Sequence, residues 1–282
     1  MILVFGSSGQ VASELKALLP DAVFLGRARA DLAEPTDLRD VIEELRPDGI
    51  INAAAYTAVD KAEEEEPLAE KINAVAPGEM ARAAARLNVP FVHISTDYVF
   101  NGAGDVAFSP DSPTGPLGAY GRSKLKGEAE IEKSGANYAI LRTSWVFSAH
   151  GANFLKTMLR LSETRDRLTV VADQVGGPTP AAAIAEACVT ILKSLRTRPD
   201  LSGTYHFSGA PDVSWAEFAR EIFRQARRTM LVEDIPTSGY PTPAARPANS
   251  RLDCGSLRAF GLERPDWRKG VADVLQELGV NS

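Results

Sequence analysis

Tyr120 and Lys124 lie four residues apart in Tyr120-Gly121-Arg122-Ser123-Lys124, a spacing that sets a phenol and an ammonium on one face of a helix. A phenol of ordinary pKa is a poor proton donor or acceptor at neutral pH, and a neighbouring cation stabilises its phenolate. The pair therefore reads as a proton-transfer device. Spacing alone is a weak signal, so a third member is needed. Thr96 supplies it, in His93-Ile94-Ser95-Thr96-Asp97, where an apolar run ends. Ligands of open α/β sheets sit at such strand ends, and the Thr96 hydroxyl can bind the same oxygen that Tyr120 protonates. Asp97 or Ser95 then satisfies the local backbone. Hydroxyls that only cap a strand end are the alternative.

A second chemistry is written at the start of the chain. Gly6-Ser7-Ser8-Gly9-Gln10-Val11-Ala12 follows the first apolar run and opens a helical pattern. Gly6 permits a tight turn, Gly9 admits a pyrophosphate to the backbone, and Ala12 allows close helix-strand packing. The amides of Ser8, Gln10 and Val11 are then free to meet an anion. The second apolar run ends in Leu25-Gly26-Arg27 without the acid that grips the ribose of NAD. Arg27 can instead meet a 2′-phosphate, which favours NADPH over NADH; a solvated surface arginine is the alternative. Asp31 and Leu32 follow closely enough to hold an adenine edge.

The elements that must position these groups alternate regularly. Strand-like runs at Ile2 to Phe5, Ala22 to Leu25, Gly49 to Ala53, Phe91 to Ser95 and Tyr138 to Arg142 are separated by helical patterns. Those helices are expected over Val11 to Leu19, Asp37 to Leu45, Leu68 to Leu87 and Ser123 to Lys133. This is the rhythm of an α/β, Rossmann-type doubly wound parallel sheet. After Ser148 the rhythm loosens, and residues 235–249 carry four prolines, the mark of an ordered surface loop. The expected division is a dinucleotide-binding domain over 1–148 and a smaller substrate-binding region over 149–282, part of which returns to the first. Glu63 to Glu66 reads as a solvated helix entry, and His93 as a satisfied core histidine.

Composition limits the partners. The 282 residues carry 31 Lys and Arg against 37 Asp and Glu, a net charge of -6 without a basic cluster, which disfavours nucleic acid. No apolar run approaches a membrane span, and no export signal precedes the first strand. Cys188 and Cys254 are far apart and lack metal-ligand spacing. A reduced, cytoplasmic protein is expected, and neither His150 nor His206 has a partner at metal-binding spacing.

These residues resemble the extended short-chain dehydrogenase/reductases, and among them the dTDP-4-dehydrorhamnose reductase family. The resemblance runs almost end to end, through residues 6–12, NAAAYTAVDKAE at 52–63, Asn73, STDYVFNG at 95–102, YGRSKLKGE at 120–128, LRTSWVF at 141–147, Asn153-Phe154, DQVGGPT at 173–179 and RPANSRLD at 246–253. It implies a catalytic trio of Tyr120, Lys124 and Thr96, and reduction of the C4 ketone of a dTDP-linked 4-dehydro-L-rhamnose by NADPH or NADH. Ala53, Ala54, Ala55, Tyr56, Thr57 and Ile94 would line the cofactor, though Tyr56 stands where relatives often carry His. Trp145 is expected to stack on sugar or base, unless it is a core residue. Asn153, Gln174 and Arg246 are further candidates for sugar or diphosphate contacts, Arg246 against a surface ion pair. Some relatives form dimers through magnesium and glutamates; Glu14 matches one of these, but the other ligands cannot be placed and no metal is assigned. The chain is expected to be a monomer or a homodimer.

Two rivals share the fold. A dehydratase would need a glutamate after Thr96-Asp97 to abstract a proton, and this chain has Tyr98 there. An epimerase, which recycles a tightly held NAD, or a non-catalytic dinucleotide-binding subunit stays open, the latter disfavoured by the intact trio.

Overall fold

The computed structural model describes residues 1–280. The first half runs β1 (Ile2–Phe5), α1 (Gln10–Leu18), β2 (Val23–Leu25), α2 (Leu38–Leu45), β3 (Gly49–Asn52), α3 (Glu66–Glu70), α4 (Ala76–Leu87), β4 (Phe91–Thr96), α5 (Ala119–Glu132), β5 (Tyr138–Thr143) and β6 (Val146–Phe147). The second half adds α6 (Phe154–Leu161), β7 (Arg167–Val171), β8 (Val175–Gly176), β9 (Thr179–Pro180), α7 (Ala181–Leu195) and β10 (Gly203–His206). It continues with β11 (Val213–Ser214), α8 (Trp215–Gln225), β12 (Leu231–Ile235), β13 (Asn249–Ser250) and α9 (Trp267–Glu277).

The main strands are apolar at successive positions because both faces of their sheet are covered. Val4, Ile51, Val92, Ala139 and Leu141 face α1 and α7 in one core. Leu3, Phe5, Ile50, Phe91 and Ile140 face α2 and α4 in another. The six strands are parallel, in the order β2-β1-β3-β4-β5-β10. Strand order reverses between β1 and β3, and a crevice opens there above the C-terminal strand ends.

Residues 181–206 lie with this sheet. Helix α7 packs its apolar side onto the core containing Val4 and Leu15, and β10 pairs along β5. A third core, around Phe147, Leu155, Phe218, Ile222, Trp267 and Val271, holds the smaller half together. There α8 starts with a capping box, the Ser214 hydroxyl accepting from Glu217 N–H while Glu217 accepts from Ser214 N–H.

Two helices differ from expectation. The pattern over 68–87 breaks into α3, a π-type turn at Lys71–Val75 and α4. Pro77, near the start of α4, has no N–H for the carbonyl four residues back, and the wider turn relieves the clash its ring would cause. Helix α5 begins at Ala119 rather than Ser123, which places Tyr120 in its first turn. Both cysteines are buried, unpaired thiols, and burial pushes Cys188 up to about 12. No described helix is long and apolar enough to cross a membrane.

Candidate active site

The crevice is a cleft of about 810 Å³. Gly6, Ser8, Gly9, Gln10, Val11, Arg27, Asp31, Leu32, the stretch Ala53 to Thr57 and Ile94 all line it, as do Thr96, Asp97, Tyr120, Lys124 and Trp145. Gly6 has φ +105°, and a Cβ there would lie 3.3 Å from the Ala53 carbonyl group, so the β1 turn and the segment after β3 approach as only glycine allows. No side chain caps α1 at Gly9, which leaves its first-turn amides for an anionic ligand. This uncapped helix start, walled by backbone, fits a dinucleotide pyrophosphate. Arg27 lies at the far end, largely exposed and 4.0 Å from Asp31.

The wall formed by residues 53–57 is fixed from behind. Asn52 accepts the Ala54 N–H at 3.1 Å. Asn73, on the π-type turn, accepts the Tyr56 N–H at 2.8 Å and donates to the Tyr56 carbonyl at 3.0 Å and to Ser123 Oγ at 3.0 Å. One buried amide thus ties the wall at 53–57 to the helix that carries Tyr120 and Lys124. The local sequence contains no hint of that link.

The acidic run at 63–66 does lead into α3, with Glu63 and Glu64 exposed, and three of its carboxylates also hold other segments. Glu63 accepts the Ala119 N–H at 2.9 Å and so starts α5. Glu65 accepts from the Tyr56 hydroxyl at 2.8 Å and pairs with Lys61. Glu66 grips Arg122 through two bonds of 2.7 and 2.9 Å. On the opposite flank Arg142 of β5 makes a buried, forked pair with Glu128 of α5, at 2.6 Å for the closest contact. Ser95 donates to the same carboxylate at 2.5 Å. The helix carrying Tyr120 and Lys124 is therefore clamped by charge-assisted bonds on both sides.

Tyr120 is half-buried, edge-on against Tyr98, their ring centres 5.5 Å apart. Burial raises its phenol well above the usual range, a hydrogen bond with Thr96 opposes this, and the charge of Asp97 adds to the rise. Thr96 accepts the Tyr98 N–H at 3.2 Å and donates to Asp97 Oδ1 at 3.1 Å. Burial also pushes Asp97 up to about 6, against the hydrogen bond from Thr96 and the nearby Ser250 hydroxyl. The lysine corrects a simpler expectation: Lys124 Nζ binds the Ile94 carbonyl at 2.8 Å and His93 Nε2 at 3.0 Å, facing β4 rather than the phenol. Burial pulls it down to about 8, against the charge of Glu128.

The remaining substrate candidates separate. Trp145 lines the cleft, but one face is taken by Trp215, with ring centres 3.6 Å apart and planes nearly parallel. Its φ of +51° turns the chain sharply after β5. Asn153, Gln174 and Arg246 lie outside the cleft lining. Asn153 caps α6 by accepting the Lys156 N–H at 3.0 Å and donates to Gln10 at 2.9 Å. Gln174 donates to Thr237 at 3.1 Å, and Arg246 pairs with Asp60 at 2.7 Å. Each has a structural partner that occupies it.

Sequence reasoning missed Thr143, whose buried Oγ1 has no hydrogen-bond partner in the cleft wall. Its position at a strand end beside Thr96, with which it pairs in register, was the available signal. It also left His150 without a partner. The fold brings Glu14, His150 and Glu277 together with ligand-type atoms within 4.8 Å of one another, His150 lying 3.4 Å from Glu277. Ser148 donates to Glu14 at 2.7 Å.

Comparison with known proteins agrees with this geometry. The family model described as RmlD substrate binding domain matches residues 1–280. A dTDP-4-dehydrorhamnose reductase of Sinorhizobium fredii is 46% identical, the match covering 98% of this chain and 97% of the relative. That of Escherichia coli K12 is 40% identical over the same shares of each chain. A crystal structure of the Bacillus anthracis dTDP-4-dehydrorhamnose reductase in complex with NADP superposes with a TM-score of 0.91 at 36% identity, covering 98% of both chains. The cleft, the trio at its centre and matches over nearly the whole length lead to one conclusion: the chain belongs to the RmlD family of dTDP-4-dehydrorhamnose reductases, within the extended short-chain dehydrogenase/reductases.

Proposed function

We propose that this chain reduces the C4 ketone of dTDP-4-dehydro-L-rhamnose to the alcohol of dTDP-L-rhamnose, with NADPH as the preferred hydride donor. The observation that carries the reading is the meeting of Thr96, Tyr120 and Lys124 in the same cleft as the uncapped start of α1. A bound reduced nicotinamide supplies the hydride.

The protein's own groups do the rest. Thr96 and Tyr120 direct hydroxyls to the ketone oxygen, which gains negative charge as the hydride arrives. Tyr120 donates the proton to that oxygen. Its raised pKa keeps the phenol protonated until the developing alkoxide, a much stronger base, takes the proton. Lys124 lines the same cleft with its Nζ held on β4, and solvent restores the phenol's proton. Thr143 Oγ1, unpartnered, is a further contact for the sugar or the nicotinamide ribose. Arg27 at the adenosine end favours a 2′-phosphate. Glu14, His150 and Glu277 lie together with Ser148 donating to Glu14, and no metal is assigned to them.

The test is loss of reduced-nicotinamide absorbance with dTDP-4-dehydro-L-rhamnose, generated in place, using NADPH and NADH separately. Turnover with formation of dTDP-L-rhamnose is expected. Dinucleotide binding without oxidation by either cofactor sinks the reading.

A further inference from the structure

His93 is fully buried, and the mechanism above makes no use of it. Its two ring nitrogens face Asn52 on one side and Lys124 on the other, at 3.0 Å each. The directions of these bonds are not free. Asn52 Oδ1 accepts the Ala54 N–H, so its Nδ2 turns a donor toward His93. His93 Nδ1 must then accept, and a neutral imidazole that accepts at Nδ1 carries its proton on Nε2. Nε2–H points at Lys124 Nζ. A neutral amine has a lone pair to receive it, while an ammonium has only a third N–H to set against it. Flipping the Asn52 amide does not help, because it turns Nδ2–H2 against the Ala54 N–H.

We propose that Asn52 and His93 form a directional hydrogen-bond chain that favours the neutral amine of Lys124, making His93 a positioning residue for the proton-transfer centre. This rests on the reductase reading above. The chain eases departure of the Lys124 proton: an N–H bond of Lys124 breaks, the proton leaves to solvent, and the uncovered lone pair accepts His93 Nε2–H. Solvent then returns a proton to the amine. The charged or titratable groups around Lys124 are His93 and Asp97 at β4, Tyr120 and Glu128 on α5, and Arg142 on β5, whose guanidinium is held by Glu128. Burial and the Lys124 charge keep His93 itself far below its usual range, so it stays neutral and does not serve as the acid.

Two measurements on the full chain test this. Nitrogen NMR of the imidazoles at alkaline pH, assigned by comparison with His93→Gln, is expected to show the His93 proton on Nε2; a proton on Nδ1 overturns the proposal. In His93→Gln the amide oxygen can accept the third ammonium N–H, so the alkaline limb of the kcat profile should move up by about one pH unit while NADPH affinity holds. A folded, cofactor-binding variant whose limb stays put, or moves down, also overturns it. Absence of turnover in the wild type defeats the reductase reading instead, and the tautomer measurement still decides this proposal.

Discussion

Glu63 accepts the backbone N–H of Ala119 at 2.9 Å, so an acid 56 positions upstream starts the helix that carries Tyr120. Removing it frees an amide at the helix start and loosens the first turn that holds Tyr120. Glu63→Ala is expected to lose about 1 kcal/mol of stability and to lower kcat more than it raises KM. Urea melts and steady-state kinetics on the same preparation check this; an unchanged kcat would mean that α5 starts without its cap.

Tyr120→Phe keeps the ring against Tyr98 and deletes only the hydroxyl with its proton. Because general acid catalysis contributes about 10² to 10⁴ in rate, kcat should fall by that order while NADPH binding is retained. Fluorescence titration of the cofactor beside the turnover assay separates the two effects. A variant with near-normal kcat would move the proton donor elsewhere.

Asp97 ties stability to pH. Its folded pKa of about 6 stands above the ordinary carboxyl value of about 4, so the folded state holds the proton more tightly than the unfolded state. Its contribution is thus greatest below about pH 4, declines as pH rises through 6, and is flat beyond. Asp97→Asn should remove this decline, gaining on the wild type by about 3 kcal/mol between pH 4 and 7. Denaturant melts across that range give the answer, and parallel curves for the two proteins would contradict it.

Arg27 is expected to discriminate between cofactors. Arg27→Ala should raise KM for NADPH by about tenfold and leave NADH little changed, since only the former offers a 2′-phosphate to a charge-assisted bond. Equal losses with both cofactors would make Arg27 a general surface charge.

The residues that were legible in the sequence are those whose partners lie close along the chain or follow a strict period. Continuous apolar runs disclosed strands covered on both faces, and the glycine turn after β1 marked the uncapped start of α1. The spacing of Tyr120 and Lys124 placed them on one helical face. What could not be read depends on which distant segments meet. The cap of α5 comes from Glu63, the cleft wall at 53–57 hangs on Asn73, and Lys124 turns toward His93 rather than toward the phenol. Asn153 is a separate lesson. An Asn just before an apolar helix is a capping signal available locally, and that role describes it better than a sugar contact does. Arg246 found the ion pair that was its alternative reading, through Asp60.

The return of the chain to the main sheet has a consequence for synthesis. While the ribosome has released only the segment through β5, that strand has one edge without a neighbour, because β10 is still to come. The same is true of the sheet face that α7 covers, where Val92 and Leu141 await their packing partners. A nascent chain of this length therefore presents both an open strand edge and bare apolar surface, the two features that recruit holdase chaperones or provoke aggregation. Expression of residues 1–148 alone would freeze that stage.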